Sequence, residues 1–166
     1  WNPLPMNSES RPLPLSPLLL TVAPHRLLFF VGAVNVLAMM TWWALWLVAA
    51  RWQWLALPQP PIPAGWGHSF VMTFQLLTPF MYGFLLTVFP RWMNQPALTR
   101  WQYMPVGIGL CGGSLLTLAG LAGFAPLLHA GVILTILAWL AGMTALGGVL
   151  WRDGGKTWHA VSVLTA

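Results

Sequence analysis

Four histidines stand out as residues that could do chemistry, because almost all the rest of the chain is apolar. His68 opens the second of four long apolar stretches, His129 lies in the first turn of the fourth, and His25 and His159 lie at the opposite side. A neutral imidazole nitrogen is a common ligand of haem iron and of copper. Because helix N-termini disfavour imidazolium, His25, His68 and His129 are expected to stay neutral and free to bind metal.

His68 and Met72 form the sharpest pair among these candidates. They are four residues apart, hence on one face of an α-helix, and an imidazole with a thioether can ligate haem iron or copper(I). In the alternative interpretation Met72 packs against its neighbours, and the histidines bond to lipid headgroups or loop carbonyls. We predict His68 and Met72 as metal ligands, with His129 and His25 as further cofactor-binding candidates.

The second stretch also contains a polar group formed by Gln75, Thr78 and Pro79. Proline has no N–H, so Pro79 leaves the Gln75 carbonyl without its helical donor and kinks the helix. This carbonyl, the Gln75 amide and the Thr78 hydroxyl could form a polar spot near the membrane midplane, as broken helices do in transporters. A neighbouring side chain or a water can also satisfy such a kink, so both interpretations stay open.

The elements that must position these residues are membrane-spanning helices. The chain of 166 residues is 58% hydrophobic and 5% charged, whereas soluble domains carry about 25% charged residues. A bilayer core about 30 Å thick needs about 20 apolar residues in a helix. We therefore predict an all-α fold, a polytopic membrane helix bundle with four transmembrane helices. The spans contain no Lys, Arg, Asp or Glu and cover residues 27–50, 69–89, 105–124 and 127–150.

Two regions are predicted along the chain, a proline-rich N-terminal arm over residues 1–24 and a transmembrane domain over residues 25–166. The arm contains six of the fifteen prolines and is predicted to be extended. The chain starts with Trp1 rather than Met, and it stops inside a new apolar segment that opens at Ala160. We expect a longer protein, whose transmembrane domain continues beyond residue 166.

The distribution of basic residues predicts how the helices are oriented. Arg51 lies on one side, and the other six basic residues lie on the opposite side. They are Arg11, Arg26, Arg91, Arg100, Arg152 and Lys156. The positive-inside rule places the N-terminus in the cytoplasm and His68 and His129 at the outer face. Tryptophans at span ends, such as Trp54 and Trp92, fit interfacial belts. Because the basic residues are scattered rather than clustered on one face, nucleic-acid binding is not expected.

Small residues recur four apart in the third and fourth spans. They are Gly109 and Gly113, and Ala138 and Gly142. Lipid gives helices no hydrophobic reason to associate, so close backbone approach at small residues supplies the contact. We predict that the third and fourth helices pack closely. The expected partners are the lipid bilayer and other transmembrane helices that contact these four residues.

Four tryptophans lie inside the predicted spans rather than at their ends, namely Trp42, Trp43, Trp46 and Trp139. Such rings pack against helices or against a flat cofactor, and packing is the favoured interpretation. The single cysteine, Cys111, excludes an internal disulfide and a Cys-based zinc site. Its apolar, glycine-rich surroundings indicate a small packing residue.

Two segments resemble the NnrS family of bacterial membrane proteins. Residues 23–30, APHRLLFF, are similar to that family's opening motif, and residues 83–92, GFLLTVFPRW, followed by NQP at 94–96, match it more specifically. The resemblance therefore covers the middle of the chain, from residue 23 to residue 96. It implies a multi-pass protein of the bacterial cytoplasmic (inner) membrane that carries haem and copper and takes part in the response to nitric oxide.

The resemblance also points to His68, because the family places a His-Ala-His-Glu-Met run at the start of this helix. Residues 68–72 read HSFVM here, so the first His and the Met are kept, while Phe70 and Val71 replace the second His and the Glu. If the replaced positions are metal ligands, this protein binds one cofactor fewer or none. The resemblance includes His25 through the opening motif.

Three classes of function follow from these observations. The leading hypothesis is a redox-cofactor membrane protein of the NnrS type. The kink at Pro79 motivates the alternative that the chain is half of a membrane transporter, and the small-residue faces motivate a non-catalytic membrane scaffold. An enzyme has the least support, because no residue can be assigned as an acid, a base or a nucleophile.

Overall fold

The structure is a computed structural model that describes residues 17–52, 56–154 and 156–165. Most of the predicted N-terminal arm, with Arg11, and the interfacial Trp54 lie outside these ranges. The described chain contains four helical stretches that are long and apolar enough to cross a membrane. The all-α fold and the four predicted spans are thereby confirmed.

The second of these stretches is interrupted, whereas the other three are continuous α-helices. The elements are α1 Pro24–Arg51, α2 Ala64–Phe70, a π-helical segment Val71–Leu76, α3 Thr78–Trp92, α4 Arg100–Leu121, α5 Ala125–Asp153 and a short α6 Trp158–Thr165. We refer to the end of the bundle where α2 and α5 begin as the His68 end, and to the end where α1 begins as the His25 end.

Local sequence explains where several helices begin and end. At the start of α4 the Gln102 side chain accepts a hydrogen bond from the backbone N–H of Thr99 at 2.8 Å, as in a capping box. Prolines occupy the first turn of α1 and α5, where their missing N–H costs no hydrogen bond. α5 ends at Gly154, whose φ of 67° is the left-handed conformation that glycine adopts most readily.

The last part of the N-terminal arm is not extended, contrary to the prediction. Residues Pro17–Val22 form a 3₁₀ helix that contacts α1 and α4. The hydroxyl of the buried Tyr103 on α4 donates to the carbonyl of Thr21 at 2.7 Å. This anchor joins residues far apart in the chain, so the proline content of the arm could not reveal it.

The helices α4 and α5 form the most extensive helix pair, as the small residues predicted. A Cβ atom on Gly109 would lie 2.7 Å from the Cβ of Ala138, and one on Gly113 would lie 3.2 Å from a backbone oxygen of α5. Gly142 faces the ring of Tyr82 on α3 instead. These residues therefore allow close contacts within the chain, and contacts through them with other transmembrane helices stay a prediction.

A layer of buried polar residues separates two apolar clusters. The cluster toward the His25 end includes Leu28, Val31, Leu86, Phe89, Val106 and Leu110, and the cluster toward the His68 end contains Met39, Val71, Leu121 and Leu128. Between them, each of the four spanning stretches contributes polar side chains that are at most 3% exposed. We call these six residues the central polar layer: Asn35, Gln75, Thr78, Ser114, Thr117 and Thr135.

Candidate functional site

Gln75 is the hub of the central polar layer. Its side-chain amide is fully buried, and Nε2 donates to Thr117 Oγ1 on α4 at 2.8 Å and to Thr135 Oγ1 on α5 at 2.9 Å. The Thr135 hydroxyl donates a hydrogen bond to the Gly131 carbonyl at 2.8 Å, so its oxygen can accept the hydrogen bond from Gln75. One amide group therefore connects the π segment to both helices of the α4–α5 pair.

The helix break before Pro79 frees two backbone carbonyls, and side chains of other helices bond to both. The Gln75 carbonyl accepts from Asn35 Nδ2 on α1 at 3.0 Å, and the Phe74 carbonyl accepts from Trp139 Nε1 on α5 at 3.4 Å. Pro79 can donate to neither carbonyl, in α-helical or π-helical winding, because its nitrogen carries no hydrogen. The predicted interruption is confirmed. Because side chains of other helices bond to both freed carbonyls, a structural kink explains the break better than a transport site does.

Sequence reasoning found Gln75 and Thr78 but missed the other four members of the central polar layer. Asn35 gave the clearest signal, since it is the single amide in the first predicted span. Threonine and serine give a weaker signal, because their hydroxyls often bond to the backbone of their own helix. Only the packing of the helices shows that Thr117 and Thr135 face Gln75.

Replacing Asn35 with Leu is expected to lower the free energy of unfolding by about 1–2 kcal/mol. The substitution keeps the number and branching of the side-chain heavy atoms but leaves the buried Gln75 carbonyl without its donor. Unfolding of the purified protein in detergent would measure the loss. Leu37→Ala, at a residue of the same helix that is 70% exposed, is the control and should change little. Unchanged stability in N35L would contradict the role of this hydrogen bond.

His68 lies in the second turn of α2, since the helix begins at Ala64, and its ring stacks on Trp43 of α1. The ring centroids are 4.1 Å apart at an interplanar angle of 12°, and Trp43 stacks in turn on Trp46 at 5.4 Å and 6°. Among the described residues, neither ring nitrogen of His68 has a hydrogen-bond partner. The tryptophans of α1 therefore pack against one another and against His68, the interpretation favoured from the sequence.

His129 lies at the same end of the bundle, in the second turn of α5, beside a groove between α2 and α5. The groove has a volume of about 650 Å³ and a mainly apolar lining that includes Trp66 and Phe70. His129 Nδ1 lies 2.8 Å from the Ala125 carbonyl oxygen. A carbonyl can only accept, so Nδ1 carries the hydrogen, and Nε2 of the neutral ring keeps its lone pair.

His25 has a comparable arrangement at the opposite end of the bundle. Its Nδ1 lies 3.4 Å from Thr87 Oγ1, and the Thr87 hydroxyl donates to the Gly83 carbonyl at 2.7 Å. Since the Thr87 hydrogen is already used, the hydroxyl oxygen accepts from His25, and Nδ1 is again the protonated nitrogen. The half-buried His25 is thus held with the lone pair on Nε2.

The predicted ligands are distributed over different parts of the bundle. His68 faces α1, His129 borders the groove between α2 and α5, and His25 lies at the other end. In the described ranges, no three His, Cys, Asp or Glu side chains form a group that could hold a metal ion. The half-buried Met72 follows a change from α-helical to π-helical winding at Val71, whereas its predicted alignment with His68 assumed regular α-helix. All four residues stay predictions as ligands.

The two positions that depart from the family motif lie in apolar surroundings. Val71 is 1% exposed and belongs to the apolar cluster toward the His68 end, and Phe70 packs against that cluster and against the ring of Phe74 at 5.4 Å. An ionised Glu at position 71 would need a partner in this cluster to offset its burial. The local packing therefore accommodates the apolar residues present here.

One comparison with known families gives a match. The family model described as NnrS protein matches residues 19–166. No curated protein and no solved structure matches the chain. The matched range extends beyond residues 23–96, where the sequence resemblance was found, and includes α4, α5 and α6.

Proposed function

Because the chain belongs to the NnrS family, we propose that it is a haem- and copper-binding protein of the bacterial inner membrane that takes part in the response to nitric oxide. The family match is the observation that carries this proposal. The four helical stretches, each long and apolar enough to cross a membrane, support a multi-pass protein.

The histidines support haem binding. Haem iron takes axial ligands from single side chains, often a neutral histidine, so the donors need not be clustered. Metal-binding histidines usually donate their other ring N–H to an oxygen acceptor, and His129 and His25 both do so. His68 is held differently, by face-to-face stacking on Trp43. When bound, haem supplies an iron that changes oxidation state and binds small diatomic ligands.

A copper site needs more protein ligands close together than haem iron does. Copper sites combine several imidazole, thiolate or thioether donors around one ion. His68 and Met72 supply two such donors on neighbouring turns, but the described part of the chain gathers no larger group of metal-binding side chains. Haem is thus the better fit, and a copper ion at His68 and Met72 would need further donors.

The proposed role can be tested in a bacterium that carries the gene. Deleting the gene is expected to delay the recovery of growth after a pulse of a nitric oxide donor, and the wild-type gene should restore recovery. H68A should not restore it, whereas His159→Ala, at an exposed histidine of α6, should. Equal recovery of the deletion strain and its parent would refute the role in the nitric oxide response.

The proposed orientation makes a separate prediction. With the N-terminus in the cytoplasm, the turn at Asn94 lies inside the cell and the turn at Gly123 outside, because α4 connects them across the membrane. Alkaline phosphatase needs an oxidising compartment to form its disulfides. A fusion after Gly123 should therefore be active and one after Asn94 inactive. The reverse pattern would overturn the cytoplasmic N-terminus.

A further inference from the structure

Three buried oxygens of the central polar layer have no hydrogen-bond partner among the described residues. They are Gln75 Oε1, Thr78 Oγ1 and Ser114 Oγ. Their residues are 0%, 1% and 2% exposed, respectively. Buried polar atoms are nearly always hydrogen-bonded, and surrounding hydrocarbon offers no partner. Three such atoms in one layer therefore need an explanation.

The three oxygens occupy neighbouring levels of the bundle. The bond from Gln75 to Thr117 places the amide beside α4. Thr78 follows Gln75 by about one turn, and Ser114 precedes Thr117 by about one turn. Because α3 and α4 run in opposite directions, both displacements lead toward the His25 end. The hydroxyls of Thr78 and Ser114 thus lie at a common level, about one turn from the Gln75 amide toward the His25 end.

The chemistry of these groups restricts what they can bind. The central polar layer consists of amides and hydroxyls, and the predicted spans contain no Asp, Glu, Lys or Arg, so a bound ion would have no counter-charge. The Gln75 oxygen can only accept a hydrogen bond, whereas the two hydroxyls can donate or accept. A small, neutral ligand that can donate hydrogen bonds fits these groups best, and water is such a ligand. Buried waters typically make about three hydrogen bonds.

We propose that a water molecule is bound between Thr78 and Ser114, next to the Gln75 amide. It donates to Gln75 Oε1 and to one hydroxyl, and it accepts from the other. This water completes the hydrogen bonding of the central polar layer and joins α3 to α4 near the helix break. The site is independent of the proposed haem and copper chemistry at the ends of the bundle.

Removing the hydroxyls tests the proposal through the sign of the stability change. If the oxygens lack a partner, Ser114→Ala and Thr78→Val remove buried unsatisfied groups and should stabilise the protein. If the water is present, each variant takes away one of its partners and should lower the folded-to-unfolded ratio about fivefold in detergent unfolding. The double variant should lose less than the product of the single effects, since both act on the same water.

Thr144→Val is the matched control for these variants. Thr144 is exposed, and its hydroxyl bonds to the Ala141 carbonyl of its own helix at 2.9 Å. Unchanged or raised stability in both single variants, or fully independent losses, would overturn the proposal. If the variants do not fold, a density map of the wild-type protein that resolves waters gives the answer. A peak within hydrogen-bond distance of Gln75 Oε1 supports the site, and its absence overturns it.

Discussion

Purified H68A protein is expected to lose most of its haem absorbance and bound iron while the fold is retained. His68 stands at the first histidine of the run that the sequence resemblance identified, and its ring is held against Trp43 with both nitrogens free of hydrogen bonds to the described residues. His129 could not readily replace it, because His129 borders the groove between α2 and α5, whereas His68 faces α1. Optical spectra and iron per protein molecule measure the effect.

H159A is the control for this experiment, because it removes an exposed histidine of α6 and should leave the iron content unchanged. Gel filtration of each variant shows whether the fold is kept. Unaltered iron and an unaltered spectrum in H68A would remove His68 as the ligand. A loss confined to His129→Ala would instead assign the ligand to the histidine whose Nδ1 is fixed by the Ala125 carbonyl.

Gly131→Ala is expected to lower the free energy of unfolding by about 2–3 kcal/mol. A Cβ atom at position 131 would lie 2.6 Å from the backbone nitrogen of Thr117 and 2.9 Å from the carbonyl oxygen of Gly113. Both atoms belong to the backbone of α4, so no side-chain rotation can relieve the contact. The α4–α5 pair would have to separate, which would also weaken the bonds from Gln75 to Thr117 and Thr135.

Gly147→Ala provides the matched control on the same helix. A Cβ atom at position 147 would meet nothing within 4 Å, and alanine is a better helix former than glycine. Its stability in detergent unfolding should be unchanged or slightly raised. Equal stabilities of G131A and G147A would show that close backbone approach at Gly131 does not hold α4 and α5 together.

The number and approximate bounds of the spans could be predicted from the sequence. A bilayer core requires a helix of a certain length and hydrophobicity, and both properties can be determined from a short stretch of sequence. The break near Pro79 was predictable for a similar reason, since a missing N–H acts on the carbonyl of the preceding turn. The close packing of α4 against α5 was predictable from small residues four apart, because such residues let helix backbones approach in lipid. That Gly109 meets Ala138 was not predictable and is seen only in the structure.

Contacts between distant parts of the chain could not be predicted in this way. The bond from Asn35 to the Gln75 carbonyl joins residues on different helices, and its existence depends on how α1 rotates against the π segment. The stack of His68 on Trp43 depends on the same rotation. Hydrophobic periodicity could not predict this rotation, because α1 is apolar on almost every face and no polar stripe marks the side that faces the bundle.

The same limit applies to the candidate metal ligands. The sequence identified the histidines, but only the structure shows that the Ala125 carbonyl and the Thr87 hydroxyl fix the tautomers of His129 and His25. The winding change at Val71 was also hidden, since the sequence of the π segment carries no signal that distinguishes π-helical from α-helical winding. Ligand identity therefore depends on binding measurements.

Reduced-minus-oxidised optical spectra of the detergent-purified wild-type protein, with iron and copper determined on the same sample, test the proposed function most directly. Haem bound to neutral histidine predicts a haem spectrum with iron in a fixed ratio to protein, which is lost in H68A and retained in H159A. A colourless protein without iron or copper, after expression with haem and copper supplied, would contradict the proposal.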